Sequence, residues 1–327
     1  MIKKIGFVLA VLGANLAVAQ QKIDVQAHRG GMAIMPENTI PAMLNAVKLG
    51  AKTLEMDVVI SKDGKVVVSH DNFMSAAFMR KPDGADISKE EEKQLSLYQM
   101  SYDSIRRFDA GTKPHPRYPE QAKMKIHKPL LEDLIDSVEN YVRVHRLKPV
   151  YYNIETKSSP SGDGFYHPSP DVFVKTMMEV INKRNIKERV TIQSFDVRTL
   201  QVLHKDEPKL RLSLLVSGKM NISADELKKY GLSEKEIAAY LKQKEQEKGG
   251  LDEDLKRLGF VPEIYSPYFS GVDETLVQKV HANKMQIVPW TVNNEEDMIA
   301  LGKLGVDGII SDYPDRLIKL FGSYQKK

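Results

Sequence analysis

Glu55 and Asp57 stand two residues apart in a β-rich run, and His70 lies beyond the Asp63-Gly64 pair that follows it. Side chains alternate along a strand, so the two carboxylates share a face. Asp-Gly between β-branched runs signals a two-residue hairpin, because both central positions of a type I′ turn need positive φ. With Lys62 facing Lys65 across that turn, Asp57 falls opposite His70. Opposed residues point to one side of a sheet, so two carboxylates and an imidazole converge. Apolar packing gains nothing from such a trio, which leaves a site or a solvated strand end.

The elements that must hold these groups follow from the rest of the pattern. Short β-branched runs recur at 23–27, 53–58, 150–155, 190–193, 211–216, 263–266, 286–290 and 308–311. Helix-like stretches separate most of them, among them 39–49, 129–144, 170–184, 273–282 and 294–304. Such alternation implies parallel strands joined by crossover helices. Eight parallel strands with 65–70 as an antiparallel arm predict an α/β fold, a distorted (β/α)₈ TIM-type barrel. An open doubly wound sheet is the competing architecture. It calls for a glycine-rich phosphate loop after the first strand, where this chain has His28-Arg29-Gly30-Gly31.

Two segments interrupt the rhythm. Residues 72–128 are rich in Met, Lys, Pro and Tyr and begin just after His70-Asp71, as expected of a small inserted subdomain over the strand ends. Residues 217–258 form a charged helical insertion, with Ser233 to Lys248 as its main helix and Gly249-Gly250 as its stop. Its Lys and Glu run suits a solvated helix face.

The active site of such a barrel lies at the carboxyl ends of its strands. His28-Arg29, Glu55 and Asp57, Glu155-Thr156-Lys157, Gln193-Ser194, Trp290 to Asn293 and Ser311-Asp312 all fall there. Glu55, Asp57 and Glu155 supply the oxygen ligands that a divalent metal, Ca²⁺ or Mg²⁺, prefers. The alternative is a salt-bridge network with Arg29 and Lys157. His28 and His70, the histidines at strand ends, can divide general base and general acid roles. Arg29 and Lys157 carry the positive charge that a phosphate oxyanion needs. Gln193 either bonds substrate or satisfies the rim. Trp290, the sole tryptophan, suits an apolar wall of the substrate cleft better than the core. Asn38 and Thr39 suit helix capping, and Glu37 suits orienting Arg29 or a histidine. His115, His127, His145, His167, His204 and His281 lack such neighbours in the scheme.

Residues 1–19 have the form of a signal peptide: Lys3 and Lys4, an apolar run, then Ala17-Val18-Ala19 before Gln20. A periplasmic or secreted protein is expected, with a barrel domain at 20–327; a retained anchor is the alternative, and the apolar run is short for one. Zero cysteines exclude a disulfide framework, a thiolate metal site and a thiol nucleophile. The formal charge of +4 includes both signal lysines, and the remainder is too small for a nucleic-acid binder.

Taken in order, these pieces resemble the glycerophosphodiester phosphodiesterase family. They are His28-Arg29-Gly30 with Pro36-Glu37-Asn38-Thr39, Glu55-Met56-Asp57-Val58, His70-Asp71, Glu155-Thr156-Lys157, Gln193-Ser194-Phe195, Trp290-Thr291-Val292-Asn293 and 307–314. The resemblance implies a metal-dependent barrel hydrolase that yields glycerol 3-phosphate and an alcohol such as choline or ethanolamine. It implies His28 and His70 as the acid/base pair, Glu55, Asp57 and Glu155 as metal ligands, and Arg29 and Lys157 as phosphate contacts. It also implies attack by the glycerol 2-hydroxyl to form a cyclic phosphate, in keeping with the effective concentration of an internal nucleophile. The partner expected is a small-molecule glycerophosphodiester. The run 72–78 departs from the family, which bears on specificity rather than chemistry. A lysophospholipase D-like activity would need an apolar acyl channel, and a noncatalytic phosphodiester-binding protein would not need two histidines.

Overall fold

The computed structural model describes residues 23–218 and 249–325, with residues 234, 237 and 238 between them. The expected signal peptide and the main helix expected at 233–248 therefore lie largely outside the described residues. The strands are β1 (Asp24–Ala27), β2 (Thr53–Ile60), β3 (Val66–Val68), β4 (Tyr151–Thr156), β5 (Val190–Ser194), β6 (Arg211–Val216), β7 (Ile264–Pro267), β8 (Gln286–Ile287) and β9 (Gly308–Ser311). Eight of them run parallel in the order β8-β7-β6-β5-β4-β2-β1-β9, and β3 pairs antiparallel with β2. Backbone bonds from Asp307 to Ile287 (3.0 Å) and from Ile310 to Pro289 (3.0 Å) bring β9 against the β8 segment and close the barrel. The expected (β/α)₈ architecture is what the chain adopts.

Strand periodicity explains the division of the interior. Leu54, Met56, Val58, Ile154, Ile192, Leu212 and Leu214 face outward into one apolar cluster with the surrounding helices. Alternate residues point into the barrel. On β1, β2, β4, β5 and β6 they are Gln26, Glu55, Asp57, Asn153, Glu155, Gln193 and Ser213, all buried. Opposite them Ile264, Val288 and Ile310 form an apolar group with Trp290 packed against it. The barrel is thus polar on one inner side and apolar on the other.

The arm differs from expectation by one residue. Val58 pairs with Val68, Val59 with Val67 and Ile60 with Val66, so Asp57 lies across from Ser69, whose N–H donates to the Asp57 carbonyl at 2.9 Å. The loop holds three residues, not two: Ser61 pairs with Lys65, and Gly64 alone takes positive φ, at 71°. Ser61 locks this form, because its hydroxyl donates to Asp63 Oδ1 (2.7 Å) and accepts from Lys65 N (2.9 Å). A three-residue loop with glycine in the left-handed position satisfies the strand twist as well as a type I′ turn does.

Residues 72–128 contain the short helices Lys89–Glu92 and Tyr102–Ile105. Their Met74, Phe78, Met79, Ile87, Leu97, Ile105 and Phe108 pack with Val59 and Val67 as a separate apolar cluster. The Phe and Met content of this segment thus goes largely into packing. The segment returns beside its point of departure, where Leu130 bridges Val67 and Val68 N donates to Pro129 O at 2.9 Å.

Candidate active site

The parallel register sets the acidic trio. Asp57 on β2 is level with Glu155 on β4, and Glu155 is level with Gln193 on β5. One oxygen from each of Glu55, Asp57 and Glu155 lies within 4.8 Å of the others, and all three residues are buried. Glu55 accepts from Arg29 N and Gln193 Nε2, both at 2.8 Å. Asp57 Oδ2 accepts from Asn38 Nδ2 at 2.8 Å, while Asp57 Oδ1 is buried with no hydrogen-bond partner. Lys157 Nζ donates to Glu155 Oε1 at 2.7 Å and lies 3.7 Å from Asp57 Oδ1. Arg29 donates to Glu37 at 3.1 Å, with its Nε 3.5 Å from Asp57.

The electrostatics bear on what these carboxylates can hold. Burial pushes Glu155 up to about 7, with Asp57 adding to the effect and Lys157 opposing it. Burial and the neighbouring Asp57 also raise Glu55 well above the usual carboxylate range. For Asp57, burial is outweighed by His70, Lys157, Arg29 and His28, which hold it far below that range. Ionising all three carboxylates would set them, with Glu37, as four negative charges against Arg29 and Lys157 in a buried place, an excess that a divalent cation offsets. The Asp57 oxygen left without a hydrogen bond and the all-oxygen donor set fit a hard divalent ion.

Both candidate histidines sit at this rim, each backed by an aspartate. His28 Nδ1 lies 2.5 Å from Asp312 Oδ1, and His70 Nδ1 lies 2.8 Å from Asp71 Oδ1. A carboxylate only accepts, so each ring carries its proton on Nδ1, and Nε2 stays outside that contact. Their side chains are 14% and 33% exposed. Burial, Arg29 and Lys157 pull the His70 imidazole below its ordinary value against the influence of Asp57 and Asp71.

Residues 28–316 match the glycerophosphoryl diester phosphodiesterase family. The chain belongs to that family. A glycerophosphodiester phosphodiesterase of Caldanaerobacter subterraneus subsp. tengcongensis is 30% identical over 301 residues, 91% of this chain and 98% of the relative. The crystal structure of a Silicibacter pomeroyi protein classed with the glycerophosphoryl diester phosphodiesterases superposes with a TM-score of 0.75 at 27% identity, over 92% of this chain and 93% of that one. An Oleispira antarctica phosphodiesterase, solved with its product sn-glycerol-3-phosphate, shares the fold at a TM-score of 0.65 and 21% identity, over 92% and 97% of the two chains.

Within this phosphodiesterase, several supporting residues escaped the sequence reading. Asn38 does not cap the following helix; Thr39 does, accepting from Ala42 N. Asn38 sits at φ 57° and grips Asp57 twice, through Nδ2 to Oδ2 and through Oδ1 from Asp57 N at 3.2 Å. Asp312 Oδ2 accepts from Asn293 Nδ2 at 2.6 Å and from the Tyr118 hydroxyl. His115 has company after all: it is buried 3.8 Å from Glu37 and lies between the rings of Phe78 and Tyr118. Tyr118 and His115 come from a segment without periodicity, so no pattern placed them here. Gln193 bridges Glu55 and Asn153 at 2.8 and 3.0 Å, and so braces the rim. Trp290 donates Nε1 to Ser266 O (2.9 Å) and meets Phe195 and Tyr268 edge to face at 5.3 and 5.4 Å. Gly30 permits the close approach of the helix Ile40–Leu49, since a Cβ there would lie 2.8 Å from Ala42 Cβ.

Proposed function

We propose that the chain hydrolyses glycerophosphodiesters to glycerol 3-phosphate and an alcohol, with His28 and His70 as the acid/base pair. The observation that carries this reading is the pair of aspartate-backed imidazoles beside three converging carboxylates, since binding alone needs no proton donor and acceptor. Glu55, Asp57 and Glu155 would hold a divalent cation, Ca²⁺ or Mg²⁺. Such an ion supplies Lewis acidity at the phosphoryl oxygen and charge neutralisation in a buried site. Arg29 and Lys157 contribute fixed positive charge towards the phosphodiester. One imidazole takes the proton of the glycerol 2-hydroxyl through Nε2 as that oxygen attacks phosphorus, and the other protonates the leaving alcohol. Water then opens the cyclic phosphate with the roles reversed. Trp290 with Phe195 and Tyr268 offers an aromatic wall beside the charged half of the rim. No described helix is long and apolar enough to cross a membrane, and the N-terminal pattern favours export to the periplasm or the medium.

The test is glycerol 3-phosphate release from glycerophosphocholine and glycerophosphoethanolamine, with Ca²⁺, Mg²⁺ or EDTA. Chelator-sensitive release is expected, with loss in His28→Ala and His70→Ala variants that remain folded. No release with either ion, or substantial turnover in both variants, overturns the proposal.

A further inference from the structure

Lys128 is a buried ammonium outside the charged groups already given a role. It closes the 72–128 insertion, next to Pro129 and Leu130, which pair with β3. Its Nζ donates to the Ser69 hydroxyl at 2.8 Å and lies 5.6 Å from the centre of the Phe78 ring. Ser69 passes this contact on, for its hydroxyl donates to the Asp71 carbonyl at 2.6 Å and its N–H donates to the Asp57 carbonyl at 2.9 Å. The tripeptide 69–71 is thereby held at both ends, with His70 between them. The same stretch supplies the Asp71 carboxylate that orients the His70 ring.

We propose that Lys128 is a positioning residue for His70, acting through Ser69 and Asp71 as a strut from the insertion to the catalytic loop. This rests on the phosphodiesterase reading in which His70 moves a proton. Burying an ammonium is costly without compensation, and the Ser69 hydroxyl is a weak partner for it. The acids that offset it most are Asp71 and Glu37, with Asp57 contributing less and Arg29 opposing. Asp71 is drawn well below the ordinary carboxylate range by His70 and, more weakly, by Lys128 and Arg29, against the pull of burial. An ionised Asp71 can only accept, so it keeps the His70 proton on Nδ1 and Nε2 turned to substrate. The other charged groups facing His70 are Arg29, Lys157 and Asp57. Lys128 reaches the backbone of 69–71 through one hydroxyl.

The test is Lys128→Met, which keeps the length and apolar stem of the side chain and removes its charge. Turnover of glycerophosphocholine should fall about 10- to 100-fold in kcat, the range for partners that orient a working residue, with KM changed less than threefold. The imidazole NMR signals of His70, assigned against a His70→Gln control in the substrate-free protein, should move or broaden while those of His28 stay in place. Ser69→Ala breaks the same strut without touching the buried charge, and it decides the matter if Lys128→Met does not fold. Full kcat with unaltered His70 signals refutes the strut. A raised KM with full kcat also refutes it, since that makes Lys128 a substrate contact. If the wild type turns over no glycerophosphodiester, the functional reading fails separately, and the His70 signals still judge Lys128.

Discussion

Replacing Asp312 by asparagine tests the arrangement around His28 without emptying any volume. Asp312 takes a donor from His28 on one oxygen and two donors, from Tyr118 and Asn293, on the other. An amide has a single acceptor oxygen. Turned towards the two donors, it satisfies both and presents its NH₂ to His28 Nδ1. The ring must then move its proton to Nε2, the nitrogen that substrate needs free. A hydrogen bond to a charged group is worth about 1.5–3 kcal/mol, which alone corresponds to about 10- to 100-fold in rate. A histidine held in the wrong tautomer has been worth about 10⁴-fold in a comparable dyad. Asp312→Asn should therefore lower kcat for glycerol 3-phosphate release by about 10²- to 10⁴-fold, with KM nearly unchanged. Histidine ¹⁵N shifts should report the tautomer change directly. A variant that keeps kcat within fivefold of wild type, or keeps the proton on Nδ1, refutes the reasoning.

Three further outcomes follow from the same geometry. Saturating Ca²⁺ or Mg²⁺ should raise the unfolding midpoint by several degrees, because an ion at 100 times its Kd adds about 2.7 kcal/mol; Asp57→Asn should abolish the rise, and a wild type indifferent to both ions refutes the trio as a metal site. Asn38→Gly tolerates the left-handed backbone but loses both bonds to Asp57, so calorimetry should show a loss of about 1–3 kcal/mol and assays a lower kcat; an unchanged protein counts against the grip on Asp57. The Asp312 carboxyl is held below its ordinary value by His28, Tyr118 and Asn293 despite burial, so its stabilisation is complete above about pH 4 and lost as pH falls further. Acid titration followed by circular dichroism should thus be shallower in Asp312→Asn than in wild type, and identical acid limbs refute the assignment.

The strand runs were legible because a parallel barrel writes each strand as a β-branched segment with its functional residue at the carboxyl end. Glu55, Asp57, Glu155, His28 and His70 could be placed for that reason. The arm register was misjudged because Asp63-Gly64 fits two turn geometries, and the choice between them is made by the Ser61 hydroxyl, a contact invisible to turn propensities. Asn38 was misread because a polar residue before a helix suggests capping, while its actual partner lies 19 positions away on β2. Tyr118, His115 and Lys128 were hidden for a broader reason. Their segment has short helices and a packing cluster of its own, so chain order gave no clue to which of its side chains reach the rim.

The insertion leaves the barrel after His70-Asp71 and comes back at Lys128-Pro129 beside the same strand. A cassette anchored at neighbouring points can in principle be exchanged without redrawing the barrel. Here, however, it also carries Tyr118, which bonds Asp312, and Lys128, which bonds Ser69. A descendant that trades this cassette for another gives up both supports in one event. If His28 and His70 move protons as proposed, a replacement cassette has to restore both contacts, whereas point changes elsewhere in the insertion leave them in place.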